Sequence, residues 1–64
     1  MALTKEEKDA IVTALDKMTE ASMRLVIASI ESFTSWMENA FQWIYNKIRN
    51  VIIDIWNWAK NAFS

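Results

Sequence analysis

A chain of 64 residues with no cysteine, histidine, glycine or proline has room for one domain, spanning residues 1–64. It lacks the disulfides and metal clips that secure many chains this short, which leaves oligomerisation as the expected aid. A formal net charge of -1, from 7 basic and 8 acidic residues, offers no concentrated basic surface to nucleic acid.

The missing glycine and proline also remove the usual material of tight turns and hairpin loops, so the expected class is all-α. The hydrophobic fraction of 53%, with 4 tryptophans, is more apolar surface than a lone pair of helices can hide. The charged N-terminus shows no apolar leader segment, and a cytoplasmic location is the expectation. Thr4 followed by Glu7 is a capping-box pair that predicts the start of the first helix, with Leu3 placed to staple onto the Lys8 methylenes or Ile11. Glu6, Glu7 and Asp9 then put negative charge over the first turns, where the helix dipole favours it, and this accounts for them better than catalysis does.

Ile11, Leu15, Met18, Ser22, Leu25 and Ser29 continue at alternating steps of four and three, the spacing of a helix with one apolar stripe. Glu20 and Arg24 form an i, i+4 pair in the favoured order. After Met23 the chain turns apolar on nearly every side through Leu25, Val26, Ile27, Ile30 and Phe33, which predicts burial all round. Ser29, Ser32, Thr34 and Ser35 then compete for backbone hydrogen bonds, and Ser35 with Glu38 makes a second capping-box match. These place a turn at about residues 31–36 between helices of about 4–31 and 36–63, each near 40 Å long at 1.5 Å per residue. The alternative is one continuous helix of roughly 90 Å, favoured by the absence of a terminating glycine and by the aligned strip Lys17, Arg24, Glu31 and Glu38.

The strongest signal lies in the second half, where Met37, Phe41, Ile44, Ile48, Val51, Ile55, Trp58 and Ala62 repeat the heptad. Joined with Ile11, Leu15, Met18 and Leu25, this seam predicts an antiparallel helical hairpin that assembles with further copies into a homo-oligomeric helix bundle. On that reading Ile48→Asp or Ile55→Asp dissociates the assembly. Asn39, Gln42, Asn46, Arg49, Asn50, Asn57 and Lys60 form the opposite, polar face, with Ile53 stranded among them. Trp36, Trp43, Trp56 and Phe63 flank the seam as candidates for contact with a membrane or a partner.

Residues for chemistry are scarce. Without histidine or cysteine there is no base poised near neutral pH and no thiolate, and Lys17, Lys47 and Lys60 stand in no arrangement that activates a serine or threonine. Neither a catalytic site nor a cofactor is expected. Asp16 and Glu20 share a helix face but lack the further ligands of a bundle metal site, and a glycine-rich phosphate loop is excluded. Trp43, Tyr45, Trp56 and Trp58 lie near Lys47, Arg49 and Lys60 in sequence, yet fall largely on a different helix face from those cations, so nucleic-acid stacking is not expected. Charged residues interrupt every stretch long enough to span a bilayer. The expected function is therefore a small non-enzymatic module for self-association or protein interaction. Its partner is expected to be itself or a larger protein, and the alternative is a tryptophan-rich amphipathic protein at a membrane surface.

Overall fold

The computed structural model describes residues 3–63, and the chain is all-helical across them. Its elements are α1 (Lys5–Asp16), α2 (Glu20–Ile27), α3 (Ile30–Ala40), α4 (Gln42–Ile48) and α5 (Ile52–Ala62), with a 3-10 turn, Arg49–Val51, leading α4 directly into α5. Neither two 40 Å helices nor one 90 Å rod is formed. The molecule measures 27 × 23 × 20 Å.

Local chemistry accounts for most of the breaks. Thr4 caps α1 through the expected capping box: its Oγ1 accepts from the Glu7 amide at 3.2 Å, and Glu7 Oε1 accepts from the Thr4 amide at 2.9 Å. Thr19 caps α2 by accepting from the Ser22 amide at 3.2 Å, and Ser29 caps α3 by accepting from the Ser32 amide at 3.1 Å. The expected turn at 31–36 lies inside α3. There Ser35 occupies the helix interior and accepts, through its carbonyl, from Asn39 Nδ2 at 3.0 Å. The serine cluster does mark a break between helices, but at Ser29, which starts α3.

The bend between α3 and α4 has no side-chain cap. Phe41 carries it with φ -138° and ψ 53°, while its amide still donates to Met37 at 2.8 Å and its carbonyl still accepts from Tyr45 at 2.8 Å. Its ring meets Trp36 edge-on at 5.5 Å, and Trp36 lies 6.0 Å from Phe33. Packing of these three rings accompanies a bend that no residue type announces.

The core consists of Leu3, Ile11, Leu15, Phe33, Met37, Ile44, Ile48, Ile55 and Ala59. Half of the long seam is thus buried inside one chain. Phe41 and Trp58 are half-buried against the core, whereas Val51 and Ala62 are exposed. In the first half Ile11 and Leu15 are buried and Met18 is half-buried, but Leu25 stands 71% exposed. Phe33 and Ala59 complete the core from outside the heptad positions, because short helices crossing at several angles bury several arcs instead of one stripe.

Two polar contacts tie distant segments together. Lys47 Nζ donates to both carboxylate oxygens of Glu7, at 3.0 and 2.9 Å, joining α4 to the start of α1. Trp56 Nε1 donates to the Ile27 carbonyl at 3.0 Å and fastens α5 to the end of α2. Among the described residues no buried side-chain nitrogen or oxygen lacks a partner.

Candidate interaction surface

What the core leaves outside defines the surface available to a partner. Four large apolar side chains are exposed: Leu25 at 71%, Trp43 and Ile53 at 60% each, and Val51 at the margin. Leu25 belongs to α2, an outer helix with no fully buried residue, whose inner side rests on the core through Met23, Val26 and Ile27. Beside Leu25, the exposed Arg24 and Glu20 side chains pair at 2.8 Å.

Between α2 and α3 runs a shallow, mostly apolar groove of about 480 Å³ lined by Leu25, Val26, Glu31, Ser32, Ser35 and Trp36. Trp36 is held there by its contacts with Phe33 and Phe41. A second hollow of about 320 Å³ adjoins it across Glu31 and Ser35 and reaches Ile30, Thr34 and Glu38. A third, of about 430 Å³, is polar and lies among Glu38, Asn39, Gln42, Tyr45 and Asn46. In it the pKa of the Tyr45 phenol is raised above its ordinary value, first by burial and then by the Glu38 carboxylate nearby.

The four aromatic side chains expected to meet a membrane or a partner have separate placements. Trp43 is open to solvent, whereas Trp36 and Phe63 are half-buried against the core. Trp56 is half-buried, bonded through its indole to Ile27, and covered by Lys60 Nζ at 3.6 Å from the ring centroid. Of the bases near these rings, Lys47 is engaged by Glu7 and Lys60 by Trp56.

Glu7 is the one buried ionisable residue among those described. The hydrogen bonds from Lys47 and then from the Thr4 amide hold its carboxyl below the ordinary value. No sequence signal announces this pair, since its partners lie 40 residues apart. Among the described residues no group of three or more acidic, cysteine or histidine side chains is placed to hold a metal ion. Nor is any described helix long and apolar enough to cross a membrane. No protein-family model, curated protein or solved structure matches the chain.

Proposed function

We propose that the chain is a small non-enzymatic interaction module that associates with further copies of itself through the apolar residues its own core leaves uncovered. The observation that carries this reading is the exposure of Leu25, Trp43 and Ile53 on a molecule whose core is otherwise closed. Each of these side chains leaves apolar surface in water that contact with a further copy would bury. The α2–α3 groove beside Leu25 supplies a concave, mostly apolar site for a helix of a second copy.

The test is sedimentation equilibrium over a concentration series, on the wild type and on a variant carrying Leu25→Gln, Trp43→Gln and Ile53→Gln together. All three positions are exposed, so the fold and its helicity are expected to survive, each change altering stability by no more than about 0.5 kcal/mol. The wild type is expected to form a discrete multiple of 7.5 kDa, and the triple variant to remain a monomer. A second reading, attachment to a membrane surface, draws on Trp43, whose indole suits the headgroup region. It takes first place if the wild type is monomeric at all concentrations and co-sediments with lipid vesicles in a Trp43-dependent way.

A further inference from the structure

α1 is joined to the rest of the molecule differently from the other helices. Close backbone approaches join α2 to α3 and α5, α3 to α4 and α5, and α4 to α5, whereas α1 makes few of them and is held chiefly through side chains. Its attachments are the buried Leu3, Ile11 and Leu15 and the Glu7–Lys47 ion pair. The whole element is carried on a hinge of three residues, 17–19.

That hinge contains nothing that forbids helix. Lys17 already has helical dihedrals, φ -77° and ψ -14°, and no described residue has a positive φ. Thr19, at φ -62° and ψ 155°, needs a rotation mainly about ψ to enter the helical range. The apolar stripe of α1 also runs on through the hinge, from Ile11 and Leu15 to Met18 and Leu25. In the closed form this continuity goes unused, and Leu25 is left in solvent.

With the hinge helical, α1 and α2 become one helix over residues 5–27. Its length, about 34 Å at 1.5 Å per residue, exceeds the molecule's longest dimension of 27 Å. α1 then cannot return to its own core.

We propose that the chain forms a dimer by exchanging α1, each copy's Ile11 and Leu15 filling the other's core and each Glu7 pairing with the other's Lys47. Every contact α1 makes in the monomer is remade between copies, so the exchange costs little beyond the Thr19 cap. Met18 and Leu25 gain cover where the two straightened hinges cross. The inference rests on the self-association reading and adds to its surface contact an exchanged segment, α1.

Charge reversal tests the exchange. Glu7→Lys and Lys47→Glu each set like charges together in a closed monomer and in a swapped homodimer. A swapped heterodimer of the two variants restores opposite charges at both pairs, whereas copies that keep α1 at home restore neither. The variants are to be unfolded and refolded together, one isotopically labelled, and the products weighed by native mass spectrometry. Like-charge contact across an interface is costly, so the heterodimer is expected to exceed either homodimer by about tenfold or more, against about twofold for random mixing. If the single variants do not fold alone, helicity regained only on mixing is the same result. A second variant, Glu20→Pro, places proline at the first position of α2, where the closed form tolerates it and a straightened helix does not. It is expected to keep its helicity and lose the dimer.

Random mixing of charge variants, with a wild type that dimerises, overturns the exchange and leaves self-association standing. A dimer that survives Glu20→Pro does the same. A wild type that is monomeric throughout and shows no heterodimer enrichment removes both.

Discussion

Two residue pairs bind stretches of chain that have no local reason to meet, and both are open to titration or substitution. The Glu7 carboxyl is held below its ordinary value of 4.5 by Lys47 and by the Thr4 amide. Its contribution to stability is therefore complete above that value and lost as the pH falls through the lower folded value. Urea midpoints are expected to stay level from neutrality down to about pH 5 and to drop below that. In Glu7→Gln, part of this acid-side drop disappears and the midpoint at neutral pH falls. A drop of the same size in both proteins would assign the acid sensitivity to other carboxylates. Trp56→Phe keeps the ring beneath Lys60 but removes the donor to the Ile27 carbonyl. The expected loss is about 1 kcal/mol in chemical denaturation, with helicity unchanged.

At the scale of elements, the helix starts were partly legible and the helix ends were not. Thr4 and Glu7 announce α1 because both halves of a capping box lie within one turn. Further on, the sequence offers Ser35 with Glu38 as a cap, and the structure uses Ser29. The reason lies in tertiary structure: Phe33 and Met37 are both fully buried one turn apart on α3, and a turn at 31–36 would separate them. The bend at Phe41 has no cap, glycine or proline to reveal it, and its aromatic packing becomes visible only in three dimensions. Of the candidate surface, Ile53 stood out in sequence as an apolar residue on a polar face, whereas Leu25 was indistinguishable from a seam residue. The caps also separate two kinds of effect. Thr19→Ala and Ser29→Ala each remove a cap worth about 0.5 to 2 kcal/mol to the closed monomer. Only Thr19→Ala also releases the hinge, so it alone is expected to raise the dimer fraction in sedimentation equilibrium at fixed concentration.

For the molecule as a whole, the heptad reading named many of the buried residues and set them on two long helices, where the chain forms five short ones. An accessible surface of 4205 Å² lies close to the roughly 4,250 Å² expected of a compact monomer of 7.5 kDa. The radius of gyration of 10.5 Å likewise meets the roughly 10.7 Å of a folded chain this long. Apolar residues that a straight helix would offer to neighbours are gathered by the chain's own bends. Substitution at the core therefore has a different expected outcome from that at a seam between copies. Ile48→Asp and Ile55→Asp place a charge among fully buried side chains, and a domain this small holds only about 3 to 5 kcal/mol in reserve. Circular dichroism is expected to show the helical signal itself collapsing, where a seam between separately folded copies would release helical monomers.

The Glu7–Lys47 pair also sets an order of events. α2, α3 and α4 each pack on the next helix in sequence, whereas α5 returns to α2 and α3. α1 is made before them, and its ionic partner follows 40 residues later. Until Lys47 is made α1 is an amphipathic segment with no ionic partner, and α2 waits longer still for the Trp56 indole that fastens it to α5.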